Sequence, residues 1–199
     1  MNTRVVKIGG SLLDHPQLRE RWRRWIEAQP EMLTLLVPGG GRSVDSIRQL
    51  DRLHDIGEVP AHWLCVRAMQ LHAQLLAAML PNVRLAARLA RVIEDSTTCR
   101  VYAIDPWDVL TREEPEALGE RLPASWDVTS DSIAARIAHM SSATELVLLK
   151  SALPPSKKVG EVASLGYVDA CFPLFARGLP GIRCVDLRAD DLSESSLTV

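Results

Sequence analysis

Near its start the sequence twice repeats one unit: a continuous apolar run, a stop of consecutive glycines, then residues with helical periodicity. Val5, Val6 and Ile8 run into Gly9, Gly10 and Ser11, and Leu33 to Val37 runs through Pro38 into Gly39, Gly40 and Gly41. Apolar runs without polar alternation belong to strands covered on both faces, the situation of a parallel sheet between helices. Glycine after such a strand lets backbone N–H groups approach an anion, and the N-terminus of a following helix adds a favourable dipole. The same residues also serve as plain turn chemistry, so each unit alone is weak evidence of a phosphate site.

The rest of the chain keeps alternating. Leu18 to Ala28 predicts a helix with Leu18, Trp22, Trp25 and Ile26 on one face, the tryptophans as packing. Ser43 to Leu53 has helical periodicity, and Pro60 to Met79 reads as a long helix whose apolar stripe is Leu64, Ala68, Leu71, Leu75 and Met79. Val83 to Ile93 reads as a shorter helix or a helix breaking into a strand, and Val101 to Ile104 as a strand before Pro106. The polar stretch Thr111 to Pro123 predicts a surface loop with a helical turn. Asp127 to Ser132 offers capping groups directly before a helix over Ile133 to His139. Leu146 to Leu149 is a third all-apolar strand, ending at Lys150; Val168 to Phe175 predicts a short helix or turn, and Ile182 to Leu187 a strand. The alternation predicts an α/β layered fold with a mostly parallel sheet, and 199 residues suit one domain.

With 23 basic against 25 acidic residues, net −2, the chain has no global field for a polyanion. That argues against nucleic acid or a membrane surface as partner and for a small-molecule ligand. No apolar run approaches the roughly 20 residues that span a bilayer, and the first apolar run is too short for a signal peptide, so a cytoplasmic location is expected. Cys65, Cys99, Cys171 and Cys184 are scattered without a CxxC pair, and the five histidines, His15, His54, His62, His72 and His139, form no HExxH. Reduced thiols and no protein-built metal site are the expectation; a metal would arrive with the substrate.

Ligands of parallel α/β sheets bind beyond the carboxyl ends of the strands. Neither glycine turn completes a Walker A loop or GxGxxG, since Val44 stands where the last glycine would fall. Only Lys7, Lys150, Lys157 and Lys158 of the 23 basic residues are lysines, a weak pointer to places that want a compact ammonium. Lys7 lies inside an apolar strand, where an unpaired ammonium is costly unless it emerges at the ligand edge; the alternative is a lysine snorkelling to solvent. Asp131 serves either as a helix cap or as a carboxylate that orients a lysine. Phosphoryl transfer needs cations on the transferring group, backbone N–H donors on its oxygens and a carboxylate that fixes the cations. Lys7, the two glycine turns, Asp131 and Lys150 would supply that set.

The ordered segments VVKIGGSLL, VPGGG, TSDSIAA and LVLLKS resemble the amino acid kinase superfamily. The resemblance implies a three-layer αβα sandwich, one domain over 1–199 with an acceptor and phosphate lobe at 1–145 and a reduced nucleotide lobe at 146–199. It implies Lys7 on the transferring phosphoryl group, Gly9, Gly10 and Ser11 on phosphate oxygens, Gly39, Gly40 and Gly41 facing the acceptor, and Asp131 as organising aspartate. More narrowly, VPGGGRSVDSIRQLD, AHWLCVRAMQ and SWDVTSDSIAARIA are similar to a small subgroup tied to methanofuran and one-carbon cofactor biosynthesis. That subgroup phosphorylates an aminomethyl-furan-methyl phosphate with ATP, giving a diphosphate.

The narrower resemblance implies ATP with Mg2+ carried by the nucleotide, and an acceptor site that includes Ser130. Arg42 would meet the acceptor's phosphate, His62 would assist, and Asp45 or Asp127 would meet its ammonium; a surface arginine, a core histidine and helix-start charges are equally weighted readings. The stretch LLKSALPPSKKVGEVASLGYVDACF is compressed where larger members carry a nucleotide-binding segment and often a second catalytic lysine. Lys150 is preferred for that missing cation, with Lys157 and Lys158 expected in a solvated loop. The rival readings are a family enzyme with a carboxylate acceptor and a degenerate metabolite-binding subunit. Family members associate through helices, so a homo-oligomer is expected, with a dimer favoured.

Overall fold

The structure, a computed structural model, describes residues 2–95 and 100–199, so Cys99 lies outside the described residues. Its centre is β1 (Thr3–Ile8), all six residues buried. Around it stand β2 (Leu33–Pro38), β3 (Val83–Ala86), β4 (Val101–Ile104), β5 (Glu145–Lys150), β6 (Ile182–Asp186) and β7 (Glu194–Leu197), in the order β3-β4-β2-β1-β5-β6-β7. All neighbours pair in parallel except β7, which runs antiparallel to β6. Successive side chains of a strand point to opposite faces. Val5, Leu35, Leu146 and Leu148 accordingly join one core cluster, and Val6, Leu36, Val147 and Leu149 the other. Because both faces are covered, these strands read as unbroken apolar runs. This is the expected mostly parallel, three-layer α/β architecture.

The helices are α1 (Leu18–Glu27), α2 (Gly41–His54), α3 (Glu58–Met79), α4 (Leu89–Asp95), α5 (Pro106–Asp108), α6 (Ser130–Met140), α7 (Val159–Ser164) and α8 (Phe172–Phe175). Trp22 and Trp25 are buried with ring centroids 5.5 Å apart, the packing role expected of them. Among the described residues no helix is long and apolar enough to cross a membrane.

Two expectations are corrected, one is extended and two further elements are added. Helix α3 is turned relative to its expected stripe: Leu64, Leu71 and Leu75 are 46%, 61% and 45% exposed, while Ala61, His62, Val66, Met69, His72, Ala73 and Leu76 are buried. The helix is apolar over most of its circumference, so periodicity permits either orientation; His62 and His72 enter the interior because each finds a backbone carbonyl there. Between 83 and 93 the strand precedes the helix, since the turn at Asn82 (φ 61°) delivers Val83 directly to Val101 of β4. The stretch 111–123 does contain helical turns, yet it is tied down as well. Buried Glu114 pairs with Arg136 at 3.3 Å and accepts the Leu122 N–H, and Arg136 also donates to the Leu118 carbonyl at 2.8 Å. Finally, α7 and β7 were not expected: β7 is the polar stretch Glu194–Leu197, with no apolar run to announce it.

Candidate active site

β1 and β2 end side by side, Ile8 opposite Pro38, so the two glycine turns leave the same edge of the sheet next to each other. They are stitched into neighbouring strands: Gly9 N–H donates to the Leu149 carbonyl and Gly39 N–H to the Ile8 carbonyl, both at 2.8 Å. Those two amides are therefore engaged within the fold and shape the turns. The turns touch backbone to backbone, and a Cβ on Gly10 would collide with the Gly41 main chain. His72 braces the second turn, Nδ1 lying 2.8 Å from the Gly39 carbonyl and Nε2 3.2 Å from Ser43 Oγ. A carbonyl only accepts, so in the neutral ring Nδ1 carries the proton and Nε2 accepts from the serine.

Behind the first turn three charges converge. Lys7, fifth residue of the buried strand β1, reaches Asp131 Oδ1 at 2.9 Å, and Lys150, last residue of β5, reaches Oδ2 at 3.0 Å. Lys7 is the residue paired with Leu148 in the sheet, so one lysine comes from each of two adjacent strands, and the carboxylate comes from the first turn of α6. Burial alone would push the Asp131 carboxyl up; the two ammonium groups outweigh it and hold the carboxyl below its usual range. Burial, reinforced by Lys7, pushes Lys150 below the usual lysine range, against the pull of Asp131. Lys150 Nζ also donates to the Tyr167 carbonyl and lies 4.5 Å from the centroid of the Tyr167 ring.

Asp169 was not found from the sequence. Its carboxylate caps α6 from outside the helix, accepting from the Thr129 and Ser132 N–H groups at 3.1 and 3.0 Å. The local residues Asp127 to Ser132 suggested a cap of their own, and only a carboxylate inside the apolar segment YVDACF hinted otherwise.

A cleft of about 450 Å³ adjoins the two turns. Its wall includes Gly10, Ser11, Gly40, Gly41, Arg42, Asp45, His62 and Ser130 of the expected residues, and Asp14, Arg48 and Trp126 in addition. Lys7, Asp131 and Lys150 are not on that wall, although their sequence neighbours on the first turn and α6 are. Arg42 is 83% exposed at its side chain and pairs with Asp14 at 2.9 Å. The Arg48 guanidinium lies 5.3 Å from the Trp126 ring, which is fixed by its indole N–H on Asp51 (3.2 Å) and its backbone N–H on Glu58 (2.9 Å). His62 Nδ1 lies 3.0 Å from the Ser125 carbonyl, and burial lowers the pKa of the ring, so it presents a neutral Nε2. Asp127 is exposed and outside the wall, leaving Asp45 as the carboxylate of the two that faces the cleft. Lys157 and Lys158 are exposed, Lys158 pairing with Glu161 at 3.0 Å.

On the other side of the first turn, Ser11 Oγ lies 3.3 Å from Ser151 Oγ, and the Arg188 guanidinium donates to the Ser11 carbonyl at 3.2 Å. Two ammonium groups on one buried carboxylate, beside glycine backbone, can stabilise charge on a group moving between two oxygens. Among the described residues no group of three or more His, Cys, Asp or Glu is placed to hold a metal, and Cys65, Cys171 and Cys184 are free.

The model of the amino acid kinase family matches residues 2–152. A protein named (5-(aminomethyl)furan-3-yl)methyl phosphate kinase, from Methanocaldococcus jannaschii, is 23% identical over 187 residues, covering 87% of this chain and 82% of that protein. Among solved structures, uridylate kinase from Archaeoglobus fulgidus superposes with a TM-score of 0.62 at 18% identity, over 92% of this chain and 90% of its own. UMP kinase from Ureaplasma parvum gives 0.67 at 13% identity, over 100% and 96%. These two establish the likeness of fold.

Proposed function

The chain belongs to the amino acid kinase family and is a small-molecule kinase, and we propose that it transfers the γ-phosphoryl group of ATP to the phosphate of a small phosphorylated amine, giving a diphosphate in methanofuran or related one-carbon cofactor biosynthesis. The observation that carries this reading is the Lys7–Asp131–Lys150 cluster behind glycine turns that border a cleft with both arginines and carboxylates on its wall. The arginines Arg42 and Arg48 suit the acceptor's phosphate, and Asp45 suits its ammonium. The named relative, an aminomethyl-furan phosphate kinase, has an acceptor of that chemistry.

In the transfer, an ionised oxygen of the acceptor's phosphate forms a bond to the γ-phosphorus. The bond from that phosphorus to the β,γ-bridging oxygen breaks, and ADP leaves. The nucleophile is already ionised at neutral pH, so no protein base is required. Lys7 and Lys150 stabilise the equatorial oxygens, Asp131 aims the two ammonium groups, and the amides of Gly10, Gly40 and Gly41 face phosphate oxygens. Gly9 and Gly39 set the shape of the turns, and Ser130 lines the acceptor side. Ser11, Ser151 and Arg188 border the nucleotide, within the reduced lobe at 146–199 and the first turn. Mg2+ would be carried by the nucleotide phosphates and would supply further neutralisation of their charge, as this ion ordinarily does in phosphoryl transfer. Two copies of the chain meet across the outward row Leu64, Leu71 and Leu75 of α3, which would otherwise leave large aliphatic side chains in water.

The test is a panel of phosphate monoesters and amino acids incubated with ATP and Mg2+, with products read by 31P NMR. A diphosphate formed only from amine-bearing monoesters supports the reading. An acyl phosphate from amino acids replaces it with the carboxylate-acceptor reading. ATP bound without any product replaces it with the binding-subunit reading.

A further inference from the structure

The first turn of α6 is held by a side chain from 37 to 40 residues further along. Thr129, extended backbone just before the helix, provides no side-chain cap. Asp169 Oδ2 accepts instead from Thr129 N (3.1 Å), Thr129 Oγ1 (2.8 Å) and Ser132 N (3.0 Å), while Oδ1 accepts from Ser132 Oγ and from Phe172 N (2.9 Å). Two residues earlier the Tyr167 carbonyl accepts from Lys150 Nζ, and the Tyr167 hydroxyl donates to the Ala152 carbonyl at 3.0 Å. One short segment, 167–169, thus grips both the helix that carries Asp131 and the ammonium of Lys150.

We propose that Asp169 is a positioning residue for phosphoryl transfer, fixing the first turn of α6 so that Asp131 spans Lys7 and Lys150. The role rests on the kinase reading above.

Capping alone does not explain the choice of residue. Serine, threonine or asparagine caps a helix about as well as aspartate, and the Thr129 hydroxyl already stands in place for it. A carboxylate here is buried next to the Asp131 charge, and both push its pKa upward against the pull of the Ser132 and Thr129 hydrogen bonds. Its two oxygens together accept from the Thr129, Ser132 and Phe172 N–H groups and from two hydroxyls, more donors than the two lone pairs of one hydroxyl can serve. Asp169 also makes the orientation of Asp131 depend on the same segment that receives Lys150, so the two ends of the ion pair are set by one rigid piece of chain. A hydroxyl cap would leave them independent.

The chain has only four lysines, which makes side-chain 15N resonances of Lys7 and Lys150 assignable in the full-length protein with Lys7→Arg and Lys150→Arg as references. The groups that face Lys150 are Lys7 from β1, Asp131 from α6, Tyr167, and Cys184 and Asp186 from β6. In Asp169→Asn the Lys150 ammonium is expected to exchange faster with water and to titrate at lower pH. There kcat is expected to fall by about 10- to 100-fold while KM for ATP and acceptor stays within about threefold, because misplacement of a charged group costs the transition state rather than binding.

Thr129→Val and Ser132→Ala each remove one hydroxyl bond to Asp169 and keep the series readable if Asp169→Asn does not fold. Graded changes of the same kind support the role. A lower melting temperature with unchanged Lys150 resonances and unchanged kcat overturns it and leaves Asp169 a cap. A wild type that transfers no phosphoryl group overturns the kinase reading and this role with it, whereas transfer present with Lys150 insensitive to Asp169 overturns this role alone.

Discussion

Replacing Asp131 by Asn removes the carboxylate bridging two ammonium groups that lie 2.9 and 3.0 Å from its oxygens. The side chains of Asp131, Lys7 and Lys150 are 6%, 6% and 13% exposed, so water cannot take over the lost interaction. Breaking a buried pair by removing one partner costs about 3–5 kcal/mol. Lys150 moderates that figure, because burial and Lys7 already push its pKa down and it can shed its proton when Asp131 is lost. We therefore expect a loss near the lower end, about 3 kcal/mol, or roughly 6–12 °C in Tm for a chain of this size. Urea unfolding at pH 7 reads it as a shift in midpoint at constant slope. The double variant Asp131→Asn with Lys150→Met removes one of the stranded cations and is expected to recover about 1–2 kcal/mol of the loss, the size of coupling found between contacting residues. A single-variant loss under about 1 kcal/mol, or a double variant whose loss is the sum of the two singles, refutes a desolvated three-charge unit.

The acid side of the stability curve depends on the same residue. The Asp131 carboxyl is held below its usual range, so its stabilisation is complete above the ordinary carboxylate pKa of about 3.9 and is lost as pH falls through the native value. Urea midpoints measured between pH 7 and pH 3 should fall less steeply in Asp131→Asn than in the wild type; parallel curves contradict this. Lys150 gives a slope of the same sign in a different range: burial depresses its native pKa, so the unfolded chain binds the extra proton and stability rises with pH from the native value up to the ordinary lysine range. Lys150→Met should remove that rise just below the ordinary lysine pKa of about 10.4. Gly10→Ala would drive a Cβ into the Gly41 backbone, with an expected cost of about 1–3 kcal/mol and loss of turnover; a stable, active variant would mean the two turns are further apart. Leu71→Glu, on the outward row of α3, should change monomer stability by less than about 0.5 kcal/mol while shifting sedimentation from dimer to monomer, and an unshifted dimer would place the contact elsewhere.

Much of this architecture is readable from local pattern. Val5 to Ile8, Leu33 to Val37 and Leu146 to Leu149 are apolar on both faces because both faces are covered, and that alone announces a three-layer sheet. Lys7 stands out for the converse reason, a charge where the pattern forbids one, and Asp131 and Lys150 stand at the next element boundaries. What local pattern does not carry is partner choice across the chain. The orientation of α3 is decided by hydrogen bonds from His62 to Ser125 and from His72 to Gly39, which periodicity cannot see. The anchoring of 111–123 depends on Arg136, in the second turn of a different helix. Asp169 caps a helix that begins 39 residues before it, past a threonine that looks like the cap, and β7 is an edge strand recognisable only by its neighbour. The cleft likewise gains Arg48 and Trp126 from two distant segments that the spacing of either one leaves unconnected.

Phosphoryl transfer by the Lys7–Asp131–Lys150 unit is read by mixing excess protein with γ-labelled ATP, Mg2+ and aminomethyl-furan-methyl phosphate, and following label into the acceptor over a single turnover. Transfer is expected for the wild type, with a rate several hundredfold or more lower for Lys7→Ala at unchanged nucleotide affinity in protein still folded at the assay temperature, since transition-state charge loses its partner. Equal rates for the two proteins, or bound ATP that yields no labelled product with this or any other acceptor, would contradict it.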